Sequence, residues 1–239
     1  YIHNDIRLQS IEEAIDLLIN WCNNKNISGI KIVMPPSFYD QSFIAKNINV
    51  FYRKKFEIST VDLNYHFTTS NLNDDYKAFI WRNAKKNLNI SFSHNLIFEE
   101  CLTEEQRTAA YSIIKLNRSL KGKPLKLSYD ELSETSKIIK SKYFIVKDRS
   151  GSVIASAVGF IVGKSIAQII YWGDNPEFGH YKTMNFLSFK VFEYYKNYGI
   201  QTVDLGYSTL NSEPNYGLCE FKESLGCEIN PKFTFIKKL

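Results

Sequence analysis

Glycine and proline are scarce in this 239-residue chain, eleven and six respectively, and no low-complexity tract occurs. That composition excludes a collagenous or linker-like protein and leaves little room for disorder. No run of apolar residues is long enough to cross a bilayer, and no basic-then-apolar segment opens the chain, so neither a membrane span nor a secretory leader is expected. The four cysteines, Cys22, Cys101, Cys219 and Cys227, form no CxxC pair and no zinc-ligand spacing. They read as reduced thiols of a cytoplasmic protein with no metal site. Charge of one sign is also missing: 30 basic against 25 acidic residues give +5. This balance mildly favours an anionic partner and is too weak for a dedicated DNA-binding protein.

What is abundant is aromatic and aliphatic side chain. Hydrophobic residues make up 44% of the chain and aromatics 15%, enough for one large core or two moderate ones. Ile11, Ile15, Leu18 and Ile19 recur at helical spacing after Ser10, a candidate N-cap followed by Glu12 and Glu13. The strand GIKIVMPP stops at Pro35-Pro36, a helix over SFYDQSFIAKNINVFYRKKF follows, and EISTVDLNYHFT alternates as a strand. Next come one basic helix over DDYKAFIWRNAKKNLN, with Phe79 and Ile80 inward and Arg82, Lys85 and Lys86 outward, and a strand over ISFSHNLIFEE.

From about residue 102 the pattern changes. Thr103 with Gln106 spells a capping box before the apolar face Ala110, Ile113, Ile114 and Leu116. A shorter helix, YDELSETSKIIKS, precedes three closely spaced strands, YFIVKD, VIASAVGFIVG and IAQIIYWG. The helix TMNFLSFKVFEYYKNYG, the strand IQTVDLGYS, the helix LCEFKESLG and a last strand, CEINPKFTFIKK, complete an α+β order with one β-α-β crossover. A cleft is expected where strand pairing changes.

Several segments carry a resemblance. IKIVMPPSFYD resembles a strand-Pro-Pro-x-x-Tyr element, WRNAKKNLNISF an Arg-Asn-x-x-Lys connecting helix, and YGIQTVDLGYS with YGLCEFKESLGCEINP a C-terminal signature, all of the Fem-like, tandem branch of the GNAT N-acyltransferases. The resemblance implies a GNAT-like α+β fold, a mixed and mostly antiparallel sheet flanked by helices. It implies tandem halves at 1-98 and 99-239, part of the first half being expected before Tyr1. It further implies transfer of an acyl group from acyl-CoA to an amine by direct attack. The alternatives are a Fem-type aminoacyltransferase that uses aminoacyl-tRNA and a peptidoglycan-precursor amine, and a GNAT-fold module that only binds. The usual acetyl-CoA fingerprint, Arg/Gln-x-x-Gly-x-Gly/Ala, is replaced by NPEFGHYKTMN, with Gly179 as its one glycine.

The resemblance places a site around these strands. The AQIIYWGD strand would supply backbone oxyanion donors, with Trp172 toward substrate, and the helix N-terminus at Thr183, with Gly179 and Lys182, would take a phosphate. His180 is either a proton acceptor near neutral pH or an exposed capping histidine. Asp174 is either a base or the start of an Asp-Asn-Pro turn. Tyr207, at a strand's C-terminal end, is the candidate to protonate a leaving thiolate or orient substrate. Asp204 faces either substrate or core, and His3, His66 and His94 have no partner spacing. In the last helix Leu218, Phe221, Leu225 and Gly226 serve packing, which leaves Asn215, Tyr216, Glu220 and Lys222 to be explained; Lys222 belongs to the Phe-Lys part of the signature. These four, with Trp172 and Arg82, are the expected substrate-binding residues.

Overall fold

The computed structural model describes residues 6–72 and 75–239; His3 and Asp74 lie outside them. The helix α1 (Leu8–Asn24) leads to strand β1 (Gly29–Val33), helix α2 (Gln41–Arg53) and strand β2 (Glu57–Thr68). There follow α3 (Tyr76–Phe79), α4 (Arg82–Ser93), β3 (Ile97–Glu100), α5 (Glu104–Leu120) and α6 (Tyr129–Ile138). The strands β4 (Ser141–Lys147), β5 (Val153–Ile161) and β6 (Ile166–Asp174) precede α7 (Thr183–Asn197) and β7 (Thr202–Tyr207). Two-residue strands β8 (Thr209–Leu210) and β9 (Glu213–Pro214), helix α8 (Tyr216–Ser224) and strand β10 (Glu228–Lys238) close the order.

The chain forms two compact units. The first takes the chain up to Tyr65 together with Tyr207–Cys219 and Ile229–Leu239; the second takes His66–Gly206 and Glu220–Glu228. In the first unit β10 pairs antiparallel with β1, from Gly29↔Lys238 to Val33↔Thr234. Met34, Ile44, Phe51, Phe56 and Phe235 form its core, with Ile15 and Ile19 of α1 packed against it. These are the apolar positions that the helical spacing of α1 predicts.

In the second unit the sheet order is β7-β6-β5-β4-β3. The three strands β4, β5 and β6 form the expected antiparallel meander, β3 adds to its edge, and β7 joins β6 in parallel. One face of this sheet is covered by α5 and α6 through Ala110, Ile114, Leu132, Tyr143 and Val158. Against other aromatics of the unit α7 buries Phe186, Phe192 and Tyr195, and the Phe192 and Phe67 rings stack at 4.0 Å. Both helices of the α5–α6 pair start with capping boxes, Thr103 with Gln106 and Ser128 with Glu131. Each box satisfies N–H groups that the first turn of a helix leaves open.

Four local expectations are corrected. The helix α1 begins at Leu8, not after Ser10, because the extended Arg7 already supplies the carbonyl that Ser10 and Ile11 N–H groups use. The basic helix is broken at Ile80–Trp81: Trp81 is extended and gives its N–H to the Ser224 carbonyl. As a result Ile80 is buried while Phe79 is half exposed. Residues 90–93 are helical rather than strand, the last turn of α4, within which the Ser91 and Ser93 hydroxyls bond back to the Leu88 and Ile90 carbonyls. Phe92 there packs edge-on against Phe186 and Phe189. In α5 Leu116 is exposed, and the inward position belongs to Asn117, whose amide is needed at the end of β6.

Candidate active site

Pairing between β6 and β7 is short. It covers Ile166↔Thr202, Ala167↔Val203 and Gln168↔Asp204, and then the two strands part. On its other edge β6 stays with β5, but the register shifts between Val158 and Gly159, which face Tyr171 and Ile169 and leave Ile170 as an extra residue. A bulge of this kind bends its strand and leaves backbone groups outside the ladder. The result is a wedge bounded by Ile169–Asp174 on β6 and by Leu205 and Gly206 on β7. Peptide N–H groups that a parted strand turns into such an opening are the donors a ligand carbonyl can meet.

Lys222 of α8 reaches the end of this wedge. Its side chain is buried, 1% exposed, and Nζ donates to the Leu205 and Gly206 carbonyls, each at 2.8 Å. Of the two charged residues flanking Phe221, Lys222 is therefore buried, while Glu220 is exposed. The reason is that α8, after the short β8–β9 hairpin, returns to the parted end of β7, whose Leu205 and Gly206 carbonyls take the lysine as donor. Phe221 places its ring 6.0 Å from Trp172 of β6, edge to face. Trp172, Phe221 and Lys222 are thus brought to one place.

At the far end of β6, Asp174 is fully engaged. Its backbone carbonyl and Oδ1 accept from Asn117 Nδ2 at 2.7 and 3.1 Å, and Oδ2 accepts from Thr183 Oγ1 at 3.1 Å. Gly173 makes room for this bracket: a Cβ there would stand 2.8 Å from the Asn117 side chain. The carboxylate thus ties α5, β6 and the start of α7 together. Ahead of Thr183, Lys182 is left-handed (φ 55°) and α7 starts with no side-chain cap. The first-turn N–H groups of α7 with Lys182 beside them have the donor chemistry that suits a phosphate. Gly179, whose carbonyl accepts the Lys182 N–H, has no atom within 4 Å of a Cβ position. His180 is exposed and leans on Tyr181, ring centroids 4.1 Å apart.

Other expected residues have local explanations. Asn215 caps α8, its Oδ1 accepting the Leu218 N–H at 3.2 Å. Tyr216 is exposed, and Tyr207 is 43% exposed with Lys232 Nζ 5.1 Å from its ring. Arg82, Lys85 and Lys86 are exposed along α4 and, with Asn89, Ile90 and Ser93, line an open depression of about 720 Å³.

Two of the thiols are held in the neutral form by burial. Burial pushes Cys101 up to about 12, and burial pushes Cys227 far above the usual thiol range although Lys222 pulls the other way. Among the described residues no group of three or more His, Cys, Asp or Glu is arranged to hold a metal ion, and no helix is long and apolar enough to cross a membrane.

His66 has no partner at sequence spacing, yet it is buried, and its Nε2 lies 3.8 Å from Glu228 Oε2. Burial lowers its pKa below the ordinary histidine value, and the Glu228 and Asp204 charges oppose the shift. A lowered folded value means the unfolded chain binds the proton more readily, so the contribution of His66 is complete above about pH 6.5 and is lost as pH falls below it. Denaturant midpoints are expected to fall between pH 7 and pH 5.5, with a smaller fall in His66→Gln; equal falls would show that His66 does not carry the effect.

The sequence matches no protein-family model and no curated protein. Solved structures do match. FemX superposes with a TM-score of 0.75 at 13% identity, over 98% of this chain and 77% of that one. The fold is the GNAT fold. L-PGS from Bacillus licheniformis matches at 0.67 and 12% identity, over 97% of this chain and 74% of that one. A tandem GNAT protein from the clavulanic acid biosynthesis pathway matches at 0.55 and 11%, over 100% and 73%.

Proposed function

We propose that the chain is an N-acyltransferase that moves an acyl group from acyl-CoA to an amine by direct attack. The observation that carries this reading is the Lys222 amino group, held on the Leu205 and Gly206 carbonyls where β6 and β7 part. In the reaction the amine nitrogen attacks the thioester carbonyl, the C–N bond forms as the C–S bond breaks, the amine loses a proton and the departing thiolate gains one. The N–H groups of the β6 bulge and the Lys222 amino group supply positive charge beside the developing oxyanion, the largest single effect available to such a site. Gly179, Lys182, Thr183 and the first turn of α7 take the donor's phosphates. Trp172 and Phe221 flank the acyl group, and Asp174 acts as a bracket that sets α7 against β6. His180 is the candidate proton acceptor. The 1-98 and 99-239 halves are proposed as the two repeats of a tandem arrangement.

The second reading, aminoacyl transfer from charged tRNA to a cell-wall precursor amine, draws support from the likeness to FemX and from the basic side of α4 around Arg82. Calorimetry with acetyl-CoA and longer acyl-CoAs is expected to show saturable heat, with thiol release once an amine is added. Heat without release would mark a binding module. No heat, together with charged-tRNA binding that falls steeply with salt, would replace the first reading by the second.

A further inference from the structure

The end of β7 holds a device that the parting of the strands does not by itself require. In an extended strand successive carbonyls point to opposite edges, so one amino group does not normally reach two in a row. Lys222 does, because Gly206 is left-handed (φ 71°), which turns its carbonyl to the same side as that of Leu205. That turn is pinned by Asp204. Its Oδ1 accepts the Gly206 N–H at 2.8 Å, the bond from a side chain to the backbone two residues on that makes an Asx turn. Its Oδ2 accepts from Gln168 Nε2 at 3.1 Å, and Gln168↔Asp204 is the last pair before the wedge opens. Asp204 is 1% exposed. The carboxylate therefore joins the last rung of the sheet to the turn that holds the Lys222 amino group.

We propose that Asp204 is a positioning residue, acting through Gly206 to place the Lys222 amino group at the mouth of the wedge. The proposal rests on the acyl-transfer reading for its consequence and on the geometry alone for its structural part. It requires an acceptor at Oδ1 and does not require a negative charge. Asparagine makes the same turn, and Gln168 can reverse its amide to accept from it, so Asn should substitute for Asp204. A residue that served as a proton acceptor could not be replaced in this way.

The test labels the full chain with the N-hydroxysuccinimide ester of acetic acid and follows acetylation of Lys222 by peptide mass spectrometry. The Lys222 amine is expected to react slowly in the wild-type protein and at nearly the same rate in Asp204→Asn. In Asp204→Ala it should react about fivefold faster, the factor expected when one buried hydrogen bond is lost. In the acetyl-CoA assay Asp204→Ala should lower kcat with KM held, and Asp204→Asn should restore kcat. Unchanged Lys222 labelling in a folded Asp204→Ala protein would overturn the proposal. So would an Asp204→Asn protein that labels as fast as Asp204→Ala, since the charge and not the turn would then matter. Should Asp204→Ala fail to fold, Asp204→Ser, whose shorter hydroxyl caps the same N–H less closely, carries the comparison with a smaller rise. Absence of acyl transfer in the wild-type protein would overturn the functional reading, while the labelling, which needs no substrate, still decides the positioning.

Discussion

Lys222→Met is expected to lower acyl transfer by about 100-fold or more while the chain still folds, because it keeps the length and bulk of the side chain and removes its donors. The structural effect is also large. The Leu205 and Gly206 carbonyls lose the Lys222 Nζ that now serves both, and each buried acceptor left open costs about 1–3 kcal/mol. A total loss of about 2–6 kcal/mol is expected in denaturant titrations. Lys222→Arg should not rescue activity, since a broad planar guanidinium cannot replace a compact ammonium in a buried pocket. The decisive comparison is between stability and rate. If a folded Lys222→Met protein keeps full turnover with acetyl-CoA and an amine, Lys222 is a structural residue only and the observation carrying the functional reading is lost.

Gly226→Ala is expected to destabilise the chain by about 2–3 kcal/mol, from two sources that can be separated. Gly226 is left-handed (φ 79°), and a Cβ would overlap the Phe79 ring, lying 2.6 Å from Cδ1. The first effect is a backbone cost of about 1–2 kcal/mol that no neighbour can relieve. The second depends on the ring, which is half exposed and can move. Phe79→Ala in the Gly226→Ala background should therefore recover only the part due to overlap. Complete recovery would mean that the left-handed backbone carries no cost, against the conformational argument. The position matters to function because Gly226 ends the turn that follows Lys222. The same turn is fixed by the Leu225 N–H on the Lys222 carbonyl, at 3.2 Å, so strain at Gly226 is transmitted to the lysine.

Much of the fold was legible because it is written in local terms. The capping box of Thr103 and Gln106, the apolar spacing of α5 through Ala110 and Ile114, and the meander of β4, β5 and β6 each depend on residues close in sequence. The errors fall where distant residues compete for a local group. The helix around Trp81 is broken because Ser224, far along the chain, takes its N–H. The inward place in α5 goes to Asn117 because Asp174 and Gly173 receive it. Hydrophobic spacing has no means of signalling a buried amide that is wanted by a strand end.

The candidate site divides in the same way. The sequence leaves Asp204 between substrate and core, and only the structure shows its Asx turn to Gly206. Composition and periodicity by themselves determined that the chain is α+β and that it has cores of ordinary apolar packing; of the expected inward stripe Leu218, Phe221 and Leu225, only Leu225 is buried, and the buried side of α8 is Cys219 and Lys222. Only the tertiary structure decided that Lys222 is buried. A lysine beside an apolar stripe lies in water unless acceptors meet it, and those acceptors exist because β6 and β7 stop pairing after Gln168 and Asp204.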